Sequence, residues 1–270
     1  MTEALLSAPV MYKNGYIIEF PNVAAPADLL TLATVDHNAQ SATKQFPLGT
    51  KIRRGSRSWV YCKAGASNIA IGVPIQQAAA VHAEQDDDIV TGAAAAIGAT
   101  SVDLTSTANL DNDPNDDTDD FADGFLVVND EAGEGQCHQI KSNEGFSGTD
   151  LATFVLYDAL TIALTVASQV GLIRSPYYRV IATAAVVSGM VIGVAPRAVT
   201  AAYFFWAQTR GPAAVVVQAA INLGTVAIVG TTAAKANAGV DVTTEVRIGY
   251  PMTPGVADAE YCIVWLTLDR

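Results

Sequence analysis

Between residues 46 and 76 the chain alternates short apolar runs with turn residues. Gly49 precedes a polar stretch, 51–58, which leads into Trp59-Val60-Tyr61-Cys62-Lys63, and Gly65 and Gly72 close the runs that follow. Short β-type runs bounded in this way predict strands joined by tight turns. A second series lies at 99–105, 124–129, 136–141, 153–157 and 169–173, punctuated by Gly133, Gly135, Asn143, Gly145 and Gly148. That spacing predicts a small antiparallel barrel or sandwich of about five strands. Beyond Pro176 the runs become rich in Val and Ala, and the stretches 186–194, 203–208, 213–218, 226–229, 245–250 and 261–268 add about six more strands. Helical spacing surfaces briefly at 78–84, 93–96 and 160–168. None of these sustains an apolar stripe over the ~10 residues of a stable helix. The expected fold class is therefore all-β, with short-stranded antiparallel barrel or sandwich domains.

The first 45 residues differ, mixing Pro9, Pro21 and Pro26 with short apolar runs, and read as an extended N-terminal arm. Charge then falls in blocks. Lys44, Lys51, Arg53, Arg54, Arg57 and Lys63 form a basic cluster, and no Lys or Arg follows until Lys141. The interval holds Glu84, Asp86, Asp87 and Asp88, then Asp111-Asn112-Asp113-Pro114-Asn115-Asp116-Asp117-Thr118-Asp119-Asp120, whose self-repulsion and turn residues predict a solvated loop. These shifts suggest three parts: the arm at 1–45, a discontinuous β-domain at 46–90 plus 176–270, and an inserted β-domain at 91–175 carrying the acidic loop. The scheme requires the strand at Trp59 to pair with one beyond Pro176.

Half of the 270 residues are hydrophobic and 16% are charged, so a sizeable core can form. The formal charge of −12 argues against direct binding to a phosphate backbone. Three cysteines, Cys62, Cys137 and Cys262, lie too far apart for a dense disulfide framework or a zinc knuckle. No basic n-region precedes the first apolar run, so a cytosolic product is expected. The longest apolar stretch, 180–194, is short of the ~20 residues that span a bilayer, and no membrane association is expected.

Candidate chemistry is sparse. Asp111, Asp113 and Asn115 form a weak calcium candidate, because hard cations want clustered carboxylate oxygens, but the EF-hand register fails at Asp116 and Ala122. Cys137 and His138 are adjacent, and a strand would send them to opposite faces. His37 and His82 stand without a surrounding motif. Gly133-Glu134-Gly135-Gln136 reads as a turn, since Glu131 and Glu134 would repel a bound phosphate. In the basic cluster, Trp59 and Tyr61 fit the core of a hairpin with a solvated tip better than they fit stacking on bases. Tyr203, Phe204, Phe205 and Trp206 are the densest aromatic group; alternation would bury two rings and present two, to a second sheet or to a neighbouring subunit. No catalytic residue, cofactor or resident metal is expected.

Several phrases together resemble the virion structural proteins of tailed bacteriophages that coat or cement the capsid. They are Phe46-Pro-Leu-Gly-Thr50, Val60-Tyr-Cys-Lys-Ala-Gly65, Ala122-Asp-Gly-Phe-Leu-Val-Val-Asn-Asp130 with Gly133-Glu-Gly-Gln136, Ala201-Ala-Tyr-Phe-Phe-Trp-Ala-Gln-Thr-Arg-Gly-Pro212, Ile248-Gly-Tyr250 and Ala259-Glu-Tyr-Cys-Ile-Val-Trp-Leu266. The resemblance implies a β-rich homotrimer on the exterior of an HK97-type shell, made in the host cytoplasm, with the major capsid protein and itself as partners. It implies no enzymatic activity. The alternative within the virion is a tail or fibre protein serving host attachment. A polysaccharide-degrading tail enzyme would need two carboxylates across a cleft, whereas the acids here concentrate in a loop.

Overall fold

A strand whose residues are apolar on both faces must be covered on both, and this requirement organises the larger part of the molecule. The computed structural model describes residues 10–21, 35–80, 85, 89–106, 118–145, 151–239, 245–255 and 257–269. All nineteen elements among them are strands, in two antiparallel sheets, so the all-β expectation holds. The chain divides into two compact units, Met1–Ala78 with Pro176–Arg270, and Ala79–Ser175.

The discontinuous unit contains β1 (Val10–Lys13), β2 (Tyr16–Glu19), β3 (Gln40–Ser41), β4 (Lys51–Arg54), β5 (Arg57–Lys63) and β6 (Pro74–Gln76). The inserted unit supplies β7 (Ile89–Thr91), β8 (Ser101–Thr105), β9 (Phe125–Asp130), β10 (Cys137–Asn143), β11 (Leu151–Leu156) and β12 (Gln169–Ile173). The chain then returns through β13 (Ile181–Ala182), β14 (Val191–Val194), β15 (Phe204–Val216), β16 (Val226–Val229), β17 (Ala236–Gly239), β18 (Arg247–Pro251) and β19 (Tyr261–Thr267).

The predicted return across the insertion is present. β5 pairs with β15 from Lys63↔Phe204 to Ser58↔Arg210, so the Trp59 strand is hydrogen-bonded to a strand beyond Pro176. The main path of this sheet runs β1-β2-β4-β5-β15-β19-β18-β16-β17. β5 and the first half of β15 are covered on both faces. Trp59, Tyr61, Phe204 and Trp206 pack on one side with Tyr16, Phe46, Ile52 and Tyr178, while Val60, Cys62, Phe205 and Ala207 pack on the other with Ile75, Val180, Ile192 and Val199.

At 13 residues β15 is the longest of the described strands; besides short pairings with β3 and β14 it has two long ones. Its first half lies along β5, and from Arg210 to Val216 it lies along β19. The change is made at a register shift between Gln208 and Arg210. Gly211 there has φ +80°, in the left-handed region, and a Cβ on it would stand 2.5 Å from the Ser56 carbonyl oxygen. Gln208, buried beside the bulge, donates from Nε2 to the Arg210 and Pro212 carbonyls and accepts from Arg57 Nη2 at 2.8 Å. Its amide is thus satisfied where the ladder is broken.

Two expectations are corrected. The arm at 1–45 is not an independent extended segment where it is described: β1 and β2 form a hairpin through Asn14-Gly15, with φ 51° and 78°, and β2 pairs with β4. An Asn-Gly pair between alternating apolar residues is a direct hairpin signal, because both turn positions need positive φ. The insertion begins at Ala79 rather than at 91, since β7 belongs to the inserted unit and raises its strand count to six.

Those six strands pair in the ring β10-β11-β8-β7-β12-β9, a small barrel. Alternation is clean here, with Val102 and Leu104, Leu126 and Val128, and Ala152, Phe154 and Leu156 pointing inward. The insertion is tolerated because each unit brings its own chain ends together. In the discontinuous unit Gln76 pairs with Ile181, and in the barrel Ile89 pairs with Val170. Loop closure across the insertion is therefore made by native strand pairing on either side.

Replacing Gly211 with alanine should destabilise the discontinuous unit by at least about 2 kcal/mol, through positive φ and the Ser56 approach together. Urea unfolding followed by tryptophan fluorescence reads this, since Trp59, Trp206 and Trp265 all lie in that unit.

Candidate functional site

The aromatic quartet does not present two rings. Phe204, Phe205 and Trp206 are all buried and Tyr203 is half-buried, because the first half of β15 is covered on both faces within the chain itself. Tyr61 stacks on Phe204 at 5.8 Å, and Trp206 lies 4.9 Å from Tyr61 and 5.1 Å from Phe46. Such contacts contribute about 0.5–1.5 kcal/mol each beyond area burial. These rings are core, and they leave no subunit surface at that position.

The basic cluster resolves as expected into a hairpin with Gly55 and Ser56 at its tip and Trp59 and Tyr61 inside. Its cations are engaged locally. Arg57 lies over the Trp59 ring at 4.8 Å, Arg54 over Tyr16 at 5.4 Å, and Arg53 is 3.7 Å from Glu19. His37 sits against Trp59 with ring centroids 4.4 Å apart, and the Tyr16 hydroxyl meets its Nδ1 at 2.7 Å. Burial, then the Arg57 charge, lowers its pKa, which suits a structural histidine.

Asp111, Asp113 and Asn115 lie outside the described residues, as does His82. Among the described residues no group of three metal-capable side chains gathers. Cys137 is exposed and His138 buried, on opposite faces of β10. Gly133 to Gln136 is a turn, and its last residue has a role that sequence inspection missed. The buried Gln136 accepts at Oε1 from Thr161 N, Thr161 Oγ1 and Ile162 N at 2.8, 3.0 and 3.0 Å. Its Nε2 donates to the carbonyls of Gly133 and Ile162.

Gln136 thereby fixes one of two loops at an end of the barrel. The loops, 92–100 and 159–168, lie side by side: Ala95 and Leu164 exchange N–H···O bonds of 3.0 and 2.8 Å, and Leu160 N–H reaches the Ala99 carbonyl at 2.8 Å. Ala95, Leu160 and Leu164 are buried, and Ser168 Oγ ties the second loop to the Ala132 carbonyl at 2.7 Å. Between these anchors Ile97, Ile162 and Val166 stand out, 69%, 50% and 64% exposed. Neither loop contains a charged residue, although the unit holding them has eighteen Asp and Glu against only Lys141 and Arg174.

The discontinuous unit is the reverse, with thirteen Lys and Arg against nine Asp and Glu. It carries two surfaces of its own. The outer face of β18 and β19 shows Tyr250, Met252, Tyr261 and Ile263, with Trp265 opposite Tyr250 and Arg247 donating to the Tyr250 hydroxyl at 3.0 Å. The other is a cavity of about 550 Å³ near the bulge in β15, where Thr209 follows the β14 contact at Gln208 and precedes the β19 pairing at Arg210.

Met190, Val191, Ile192, Val246 and Leu268 form its apolar walls. Lys51 and Asp269 form an ion pair of 2.8 Å within it, and Arg247, Tyr177, Thr209 and Thr267 add to the polar lining. Burial opposes the Lys51 charge, but the hydrogen bond and attraction from Asp269 outweigh it and raise the pKa. Burial also raises Tyr177 and the Cys62 thiol and pushes Tyr61 up to about 12. The arrangement suits the reception of an apolar group bordered by anions; it offers no nucleophile–base pair.

Two outcomes are expected. Gln136→Ala leaves the Thr161 and Ile162 amides without their acceptor and should cost the inserted unit about 2–4 kcal/mol in denaturant unfolding. Stability should also fall as pH rises above about 8.5, first because the unfolded chain releases the Cys62 thiol proton that the fold retains, and above about 10 because it also releases the Tyr61 phenol proton and Lys51 binds its proton more tightly when folded. Equilibrium unfolding between pH 8 and 11, with roughly that span set by these ordinary pKa values, measures the slope.

Comparison with known proteins identifies no relative: no family model, curated protein or solved structure matches this chain.

Proposed function

We propose that this chain is a structural virion protein that decorates and stabilises a bacteriophage capsid, binding as a trimer to the outer surface of an HK97-type shell. The observation that carries the reading is the solvent-facing apolar sheet of β18 and β19, with Tyr250, Met252, Tyr261, Ile263 and the half-buried Trp265 in adjacent register. Aromatic and methionine side chains grouped on an exposed, hydrogen-bonded sheet face are the composition of a protein contact. The shell protein is its proposed occupant, since attachment to a lattice repeats one modest contact many times and gains strength by multivalency. The sequence phrases that resemble capsid-coating proteins overlap this face at Ile248-Gly-Tyr250 and at residues 259–266.

Charge supports the same assignment. A unit with eighteen acidic residues against two basic ones keeps a crowded particle surface soluble and does not compete for packaged nucleic acid.

Copy number tests the proposal. Quantitative mass spectrometry of purified virions should find the chain in numbers comparable to the major shell protein. A handful of copies per particle, or presence only in tails, would assign it to a tail or fibre instead.

A further inference from the structure

The inserted unit holds a feature that solubility does not require. Nineteen uncharged residues, 92–100 and 159–168, form one end of a unit that is otherwise strongly acidic. Ile97, Ile162 and Val166 are held outward there by Gln136, Ser168 and the Ala95–Leu164 bridge. Large aliphatic side chains exposed on a segment fixed by buried hydrogen bonds form a preorganised contact, with little ordering left to oppose binding.

We propose that this end docks on a second copy of this chain, at the cavity of the discontinuous unit bordered by Met190, Val246, Lys51 and Arg247. Charge selects the occupant. The inserted unit bears a formal −16 and the discontinuous unit +4, from eighteen acidic against two basic residues and nine against thirteen. Two inserted units placed end to end would repel, as would an anionic membrane or a nucleic acid. The discontinuous unit of another copy attracts.

Its cavity offers the complementary chemistry. Met190 and Val246 are exposed at 50% and 38%, the other walls are Val191, Ile192 and Leu268, and the lining cations Lys51 and Arg247 outnumber the single anion Asp269. A volume of about 550 Å³ lies within the range of pockets that enclose a group of several aliphatic carbons. Isoleucine side chains can enter it, and the net negative charge of the unit that carries them favours a lining in which cations outnumber anions.

The contact is heterologous, because the surface each copy gives differs from the one it receives. It closes into a ring when the rotation between copies divides a full turn, and otherwise propagates. The inference rests on the reading of the chain as an assembling structural protein, but it fails separately: virion copy number does not depend on this contact.

The test uses the full-length chain in analytical ultracentrifugation. Wild type should self-associate, and its association should weaken between about 0.05 M and 0.5 M salt as screening shortens the reach of the charges. Ile162→Asp damages only the given surface and Arg247→Glu only the received one. Each variant alone should associate about 10- to 100-fold more weakly, with thermal unfolding unchanged because both side chains are exposed. Mixed in equal amounts, the two should recover a one-to-one dimer with wild-type affinity, since one intact end then meets one intact cavity. A wild-type chain that stays monomeric, an Ile162→Asp chain that assembles as wild type does, or a mixture that gains nothing would each overturn the proposal. Ile97→Asp is the second variant should Ile162→Asp alter the melting curve.

Discussion

The pairing of β5 with β15 is the contact on which the rest of the discontinuous unit depends. It joins segments separated by the whole insertion, and both of its faces are packed with large rings or branched side chains. Because β15 continues past β5 to pair with β19, the same backbone also carries the β18–β19 face. The cavity exists for a related reason. A strand that changes partners leaves a gap at the exchange, and Thr209 occupies it, its carbonyl accepting the Leu268 and Asp269 amides. Gly211 and Gln208 make the exchange tolerable, one by conformational freedom and the other by satisfying carbonyls that no strand reaches.

Such an arrangement separates two tasks. The discontinuous unit clusters many aromatic rings and takes its coherence from long-range pairing, whereas the inserted barrel has a self-contained, mainly aliphatic core around the Phe121–Phe154 pair and a ring of short strands. Two thirds of the acidic residues, 18 of 27, belong to the inserted unit, and only Asp103 and Asp130 of these lie on its strands, so the charge is carried by the connections between strands. β5 and the first half of β15, Phe204 to Thr209, leave no exposed position on which to place charge. The cations of the discontinuous unit instead sit at hairpin ends, over aromatic rings or in ion pairs.

Much of this was legible in the residues, and the failures are instructive. Turn-bounded runs identified the all-β class, the insertion and the return to a partner beyond Pro176, because those features depend on local spacing. The β1–β2 hairpin was equally legible at Asn14-Gly15, but the surrounding prolines drew the reading toward an arm. The quartet at Tyr203 was misread for another reason. Alternation shows which residues share a face but not whether the second face is covered, and here it is covered by segments including β6 and β14. Buried Leu160, Leu164 and Ser168 share a four-residue spacing that imitates a helix, though each is anchored to the barrel on its own. Gln136 had no visible signal, since a glutamine after a turn becomes a keystone only when a loop 25 residues later folds against it.

By itself the sequence determined the strand class, the division of charge and the places where the chain must turn, all set by neighbours within a few residues. Only the tertiary structure decided which apolar residues remain outside. Ile97, Ile162, Val166, Tyr250 and Tyr261 have the composition of core residues, and they are surface because pairing places none of the described segments of their unit over them. Burial is a property of contacts between distant segments, and local pattern does not specify those contacts.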